Sequence, residues 1–380
     1  MQLDFTADQE ELRASVRSVL ERECPISLVR ALVEKGTRPD GLWEQMVALD
    51  WPALTVPETA GGIGLGAVEL AVLAEELGRV IAPGPLLPTI SQLVPAIIEA
   101  GTAEQQERFL GAVARGELTG TLAVADAESG RGGWTPESIT AMAEPAGDGG
   151  WALRGTKRWV IEGGFTDEVV VAARSSGTSG TDGIGLFVIP TSDLSPQPVT
   201  SFDGSRTLAH LPLDGIVVAP DRVLGGEPGA AGPALSRALE VATTALALEM
   251  VGTCQTIFDV TLAYAKEREQ FGVPIGSFQA IKHKLADMLV DLERARATAY
   301  FAAAAIAEED ERRSVAASMA KATAGDCQRR LVKEGIQIHG GIGFMWEHDI
   351  QLYAKRAKAG ELLFGGANEH RARVADLIGV

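Results

Sequence analysis

Cysteine is scarce in this 380-residue chain: Cys24, Cys254 and Cys327 lie far apart, with no CxxC or CxxH spacing. Neither a disulfide framework nor a zinc site is therefore expected, and the three read as buried reduced thiols. Positive charge is short as well. Lys+Arg total 34 against 51 Asp+Glu, a net charge of −17. Such a surface repels phosphate backbones and anionic lipid heads, so neither nucleic acid nor a membrane is an expected partner. No stretch of 18 uncharged apolar residues is present to span a bilayer. The start, MQLDFTADQEE, lacks the cationic and apolar regions of a secretory signal, and a cytoplasmic location is expected. What is present is ordinary for a globular protein, 46% hydrophobic and 22% charged residues, which excludes a mostly disordered or fibrous chain. The length is roughly two to three times that of a usual domain, so more than one packing unit is expected.

Three regions differ in period. Residues 1–118 read as an all-helical domain. Thr6, with Gln9 three residues on, forms a capping box before Leu12, Val16, Val19 and Leu20. Breaks at Gly61–Gly66 and Pro83–Pro88 separate further amphipathic segments, among them Val68–Leu77 and Ala103–Arg115. Residues 119–224 turn to short β-branched or alternating runs: Leu122–Ala125, Trp159–Ile161, Val169–Ala173, Gly185–Ile189 and Gly215–Val218. That spacing predicts a small β-barrel or sandwich, with a mobile Ser/Gly-rich loop at Ser175–Gly183. From residue 225 to 380 helices return. Phe278, Ile281, Leu285, Met288, Leu292, Ala295 and Ala299, three and four apart, make one face of a long bundle helix, and Leu235–Lys266 is apolar nearly all round. The class is α+β, in the order helices, strands, helices.

Two motifs carry chemistry. The first, Arg268-Glu-Gln-Phe271-Gly272-Val-Pro-Ile-Gly276-Ser-Phe278-Gln279, is a Gly-punctuated turn with an Arg at its entrance. The planar guanidinium matches phosphate oxygens, and Phe271 offers a ring to an aromatic ligand. The competing reading is a helix stop at Gly272 and Pro274 with Arg268 paired to an acid. The second, Gln337-Ile-His339-Gly340-Gly341-Ile-Gly343-Phe344, has paired glycines that let a backbone approach an anion and present N–H groups to it, with Gln337 placed to read an adenine or a phosphate. A plain Gly-rich helix break is its competing reading.

Together, in this order on a helical background, these motifs resemble the acyl-CoA dehydrogenase family. Pro57-Glu58 before Gly61–Gly66, and Lys157-Arg158-Trp159-Val160-Ile161, resemble family landmarks too. The resemblance implies that family's fold, with an N-terminal helical domain, a middle β-barrel domain and a C-terminal four-helix bundle. It implies an FAD flavoprotein, built as a dimer or tetramer, that oxidises the Cα–Cβ bond of an acyl-CoA thioester and passes electrons to an electron-transfer flavoprotein. It assigns cofactor binding to Arg268, Gln270, Phe271, Gln279, Gln337, Gly340 and Gly341, with Trp159 and Asn368 as weaker contributors, and no metal.

Departures from the family pattern fall on the catalytic half. Aligning Ala357–Arg371 with the family's Tyr-Glu-Gly-Thr motif puts Phe364 where the catalytic glutamate belongs, and Ala242 occupies the position that a minority branch uses. Phenylalanine and alanine accept no proton. Glu240 lies about 200° round the helix from Ala242 and reads first as a solvated or interface acid; Glu249, roughly on the face of Ala242 but about 10 Å along the axis, is a weaker candidate as base, its competing reading a paired buried acid. Ala125-Asp126-Ala127-Glu128-Ser129-Gly130-Arg131 and Ile161 lack the hydroxyls that would bond the flavin ring. His348 and Asp349 read as a buried structural pair. The pattern resembles the partner-type subunit of the bacterial heterotetrameric dehydrogenases of steroid side-chain degradation, where a second subunit carries the glutamate. The alternatives are a self-sufficient homotetramer with a relocated base, such as Glu240, and a flavin monooxygenase or oxidase on the same fold.

Overall fold

The structure, a computed structural model, describes residues 5–129 and 133–380. Its contacts gather into two compact units that interleave along the sequence: residues up to 37, 71–83 and 243–380 in one, 38–70 and 84–242 in the other.

The first unit is helical. Helix α1 (Ala7–Glu23) begins where the capping box places it: the Thr6 hydroxyl accepts from the Gln9 N–H at 3.2 Å, and the Gln9 side chain accepts from the Thr6 N–H at 3.0 Å. Helix α2 (Ile26–Lys35) follows, and later come α8 (Gly232–Glu267), which belongs to this unit from Thr243 on, α9 (Gln279–Ala307), α10 (Arg313–His339), α11 (Ile350–Leu362) and α12 (Ala367–Leu377). By length and composition α8 could cross a membrane, the one such helix among the described residues, but 83% of its most apolar window is buried. An apolar surface on every side is what a fully packed helix requires.

Helix α4 (Ala67–Arg79) meets α8 backbone to backbone through two glycines. A Cβ on Gly252 would lie 1.9 Å from the Glu75 carbonyl oxygen, and one on Gly78 would lie 2.0 Å from that of Glu249. Only hydrogen fits at either position. Beside this contact the Glu249 carboxylate accepts from Arg356 at 2.7 Å, both side chains being buried.

The second unit holds α3 (Asp40–Ala48), α5 (Leu86–Pro88), α6 (Val94–Ala100), α7 (Ala103–Ala114) and the sheets. The expected break over Pro83–Pro88 is shorter than the prolines suggest. A π turn at Thr89–Leu93 joins α5 to α6, widening the backbone just before Pro95, whose missing N–H would otherwise interrupt an α-helix.

Strands β1 (Gly120–Ala123), β2 (Met142–Pro145), β3 (Trp151–Arg154), β5 (Glu168–Ser175) and β9 (Val217–Val218) order as β1-β5-β2-β3-β9, with β6 (Ile184–Pro190) also on β5. Strands β4 (Thr156–Ile161), β7 (Gln197–Pro198) and β8 (Leu208–Pro212) form a second sheet in the order β4-β8-β7. Ala123, Val169, Val171 and Phe187 from the first sheet and Val160, Ala209 and Leu211 from the second share one core, which gives the curled, barrel-like layer. The loop expected to be mobile is instead tied down: the Arg174 guanidinium donates to the carbonyls of Gly180 at 2.7 Å and Asp182 at 2.6 Å.

Candidate functional site

Helix α8 stops at Glu267, and the chain enters a two-residue hairpin, β10 (Glu269–Gln270) against β11 (Val273–Pro274). Phe271 and Gly272 take φ 55° and 79°, the left-handed pair of a type I′ turn. Glycine adopts this freely, whereas a phenylalanine there is strained by about 1–2 kcal/mol. The strained residue is also 94% exposed, with its ring edge-on to Phe278 at 6.2 Å. The Arg268 N–H donates to Tyr264 O at 2.8 Å and its carbonyl accepts from the Ile275 N–H at 2.7 Å, fixing the backbone at the hairpin's root. The side chain of Arg268 is exposed and has no carboxylate partner among the described residues, which removes the reading in which it pairs with an acid.

At the far end of α10 the chain breaks at Gly340, whose φ 63° and ψ −137° suit glycine alone. A Cβ added to Gly341 would meet nothing within 4 Å. His339, immediately before, has Nδ1 2.8 Å from the Gly335 carbonyl oxygen, its ring stacked on Tyr264 at 4.5 Å and edge-on to His348 at 4.8 Å.

The two motifs, about 70 residues apart, meet in one cavity of about 450 Å³. Arg268 and Gln270 come from the hairpin, Gly340 and Gly341 from the end of α10, and Tyr264, Ile275, Ile338, His339, Ile342 and Met345 complete the lining. Its chemistry is that of an anion site with apolar walls: a free guanidinium, glycine backbone and flat side chains. Other expected contributors lie outside it. Phe271 stands at the exposed hairpin tip, Gln279 is exposed at the start of α9, and Gln337 is exposed on α10. Asn368 is exposed and accepts from Arg371 at 3.0 Å.

In the second unit Trp159 sits half-buried at φ 54°, at the register shift in β4 between Lys157 and Val160. It stacks with Trp134 at 6.5 Å, meets His210 edge-on at 6.4 Å, and carries the Arg158 guanidinium 4.1 Å from its ring centroid. Beneath it Lys157, wholly buried, pairs with Asp126 at 2.7 Å; burial pushes its pKa down and outweighs the pull of Asp126. Ala125 and Ile161 are both buried, while Gly130 and Arg131 of the same expected segment fall outside the described residues.

Phe364 is buried in the turn between α11 and α12 at φ 55°. The turn is held from below: Lys321 Nζ donates to the carbonyls of Glu361 at 2.9 Å and Gly365 at 2.7 Å, and His370 Nε2 bonds the Phe364 carbonyl at 2.9 Å. Burial lowers the Lys321 pKa to about 7 and that of His370 to about 3. None of these supporting residues is signalled by motif, although the small residues around Lys321 (Ala316, Ala317, Ala320, Ala322, Ala324, Gly325) mark a closely packed stretch of helix.

Ala242 is buried on α8. Glu240, expected to be solvated or at an interface, is instead only 5% exposed and makes a polar or charged contact of its own, because this stretch of α8 is enclosed on most sides. Glu249 is the paired buried acid, held by Arg356. The expected His348–Asp349 pair does not form. Asp349 takes two bonds from Arg30, at 3.1 and 2.5 Å, and His348 Nδ1 accepts from the Ile350 N–H at 3.2 Å. A stronger cation thus reaches the carboxylate first, and the imidazole caps the start of α11.

Residues 6–117 match the family model described as acyl-CoA dehydrogenase, N-terminal domain, and residues 233–378 match acyl-CoA dehydrogenase, C-terminal domain. Acyl-CoA dehydrogenase IpdE2 of Mycolicibacterium smegmatis is 32% identical over 375 residues, covering 97% of this chain and 98% of that one. Among solved structures, a variant of the Tcur3481-Tcur3483 steroid ACAD is 33% identical with a TM-score of 0.86, covering 98% of this chain and 97% of that one. The ChsE4-ChsE5 complex from Mycobacterium tuberculosis shares the fold over the whole of both chains at 24% identity and a TM-score of 0.88. With the family models, these relatives and the fold in agreement, the chain belongs to the acyl-CoA dehydrogenase family, oxidoreductases acting on the CH–CH bond of acyl-CoA thioesters.

Proposed function

We propose that this chain is the base-lacking subunit of a heteromeric acyl-CoA dehydrogenase, and that its cavity clamps the ADP part of an FAD whose ring is held by a partner subunit. The observation that carries the reading is an asymmetry between two sites. The cavity presents an Arg268 guanidinium, with no carboxylate partner among the described residues, beside the Gly340–Gly341 backbone. At the position that the resemblance gives to the base stands Phe364, buried and unable to accept a proton.

The residues present fit the ADP end of FAD. A guanidinium forks onto pyrophosphate oxygens, bare glycine backbone lets an anion approach closely, and Tyr264, Ile275 and Ile342 supply flat and apolar walls for an adenosine. They fit the ring end poorly. Ala125 and Ile161 bring no hydroxyl, and Trp159 already has Trp134 and Arg158 against its ring. When bound, FAD supplies the hydride acceptor for the family's reaction. This chain's part is binding and orientation: Arg268 neutralises phosphate charge, and the hairpin carries Phe271 outward to a neighbour. In this reading the partner's glutamate removes the α-proton, and an electron-transfer flavoprotein takes the electrons.

The substrate class we propose is the CoA thioester of a steroid-derived acid. Support comes from the 33% identical structure named as a steroid ACAD. The test is reconstitution. The isolated chain should hold well under one FAD per chain and stay inert toward acyl-CoA. Co-expression with a glutamate-bearing family member should give a complex that holds FAD and reduces an artificial acceptor. One tightly bound FAD per isolated chain, bleached by acyl-CoA, would instead establish a self-sufficient dehydrogenase with a relocated base.

A further inference from the structure

One wall of the cavity stands on a segment that packing alone does not hold. Gly340–Phe344 is a single 3-10 turn, and Ile342, Phe344 and Met345 are 38%, 80% and 51% exposed, yet Ile342 and Met345 line the cavity. Within the segment the Met345 N–H donates to the Ile342 carbonyl at 3.0 Å. Its downstream end is gripped from α2. The Arg30 guanidinium donates to one oxygen of Asp349, at 3.1 and 2.5 Å, and to the Trp346 carbonyl at 3.0 Å. One helical turn on, Glu34 accepts from Arg30 at 2.9 Å and from the Trp346 indole N–H at 2.8 Å. Residues four apart share a helix face, so α2 presents Arg30 and Glu34 as a unit. A planar guanidinium can hold three such acceptors at once, which a lysine ammonium at the end of a flexible stem does not do in a fixed plane.

We infer that Arg30 is a positioning residue of the cavity: by holding residues 346–349 against α2 it fixes the wall that carries Ile342 and Met345. The inference rests on the nucleotide clamp proposed above and adds to it a residue outside both motifs, 316 positions from Trp346 in the sequence. Arg30 touches no ligand in this role. The hairpin that carries Arg268 is rooted separately, through the Tyr264 and Ile275 bonds of the Arg268 backbone, so the phosphate end of the cavity does not depend on α2. Loss of the Arg30 grip therefore costs the apolar wall first. The Asp349 side chain is 42% exposed, so water replaces the lost donor there and the chain stays folded while the segment loses its fixed place.

The test runs on the full chain. Arg30→Ala should raise amide hydrogen exchange over residues 342–349 by about fivefold or more and leave the middle of α10 unchanged. In calorimetric titration it should weaken ADP about 5–30-fold, through the loosened wall, and leave inorganic pyrophosphate within about twofold. Arg30→Lys keeps the charge without the fork and should recover only part of both effects. Asp349→Asn loosens the same grip from the other side, should give the same exchange pattern, and combined with Arg30→Ala should add little. A residue that merely stabilises the fold would lower the unfolding temperature, raise exchange throughout the helical unit and leave both affinities of the folded chain unchanged. That result, unchanged exchange over 342–349, or equal losses for ADP and pyrophosphate would overturn the role of Arg30 and leave the clamp standing. A wild-type chain that binds neither ligand would overturn the clamp and this inference with it.

Discussion

Lys321, wholly buried, donates to the Gly365 carbonyl at 2.7 Å, and so supports from beneath the turn on which Phe364 stands. Its second bond, to the Glu361 carbonyl at 2.9 Å, closes the same turn from the other side. Two consecutive positive φ angles, 55° at Phe364 and 97° at Gly365, persist there because these donors fix the carbonyls around them.

Lys321→Met should therefore destabilise the chain by about 2–4 kcal/mol, since two buried carbonyls lose their donor. The pH dependence identifies the cause. The folded pKa of about 7 lies below the ordinary lysine value of 10.5, so between those limits the unfolded chain binds the extra proton and stability rises with pH. Urea unfolding at pH 6, 8 and 10 should show wild type gaining on the variant over that window. A constant difference would mean that Lys321 does not titrate there.

His370 acts with the same sign in a lower pH window. Burial holds its pKa at about 3 against the ordinary 6.5, so stability is lost as pH falls from 6.5 toward 3 while the unfolded chain takes up the proton first. His370→Asn should cost about 1–2 kcal/mol at pH 7 and flatten this acid limb. Thermal melts from pH 7 to 4 would check both.

Removing one partner of a buried ion pair strands the other. Glu249→Gln leaves Arg356 enclosed and should cost about 3–5 kcal/mol in chemical denaturation. Replacing both partners by apolar residues should cost less than that single change.

Clamp and base separate in the reconstituted complex. Arg268→Ala should leave the fold within about 0.5 kcal/mol, because the side chain is exposed and makes no ion pair among the described residues. It should weaken FAD retention by about 2–3 kcal/mol, measured as flavin released on dilution. Glu240→Gln should change turnover by no more than about threefold, where loss of a general base would cost about 10²–10⁴. A fall of that size at unchanged FAD content would return the base to this chain.

Much of the fold is legible where local chemistry decides it. The Thr6–Gln9 pair marks the start of α1, and the apolar run Leu235–Lys266 lies within α8, which extends it by only a few residues. Strands β2 and β3 are not legible: Met142–Pro145 and Trp151–Arg154 are only four residues each, too short for an alternating pattern to show, although a turn closed by the Ala146 N–H on the Gly150 carbonyl at 2.8 Å pairs them as a hairpin. The same holds at the cavity. Arg268, Gly340 and Gly341 announce themselves by motif, while Tyr264 and His339 become partners only when the ends of α8 and α10 meet. The His339–Gly335 bond did leave a trace in the sequence, a histidine four residues after a glycine at a helix end, but nothing local says that its other nitrogen is buried.

The paired glycines Gly78 and Gly252 also fix what α4 and α8 cannot do. Screwing one helix along the other by a single position, about 1.5 Å with a turn of about 100°, would bring the side chain of Leu77 or Arg79 onto a backbone carbonyl against which only a glycine hydrogen fits. The crossing therefore works as a mechanical stop. Along α8 it holds the axial position of Glu249, and with it the Arg356 pairing, to within less than the 1.5 Å rise of one residue. Any adjustment of this unit must pivot about the contact, as a hinge does, because translation along it is sterically barred.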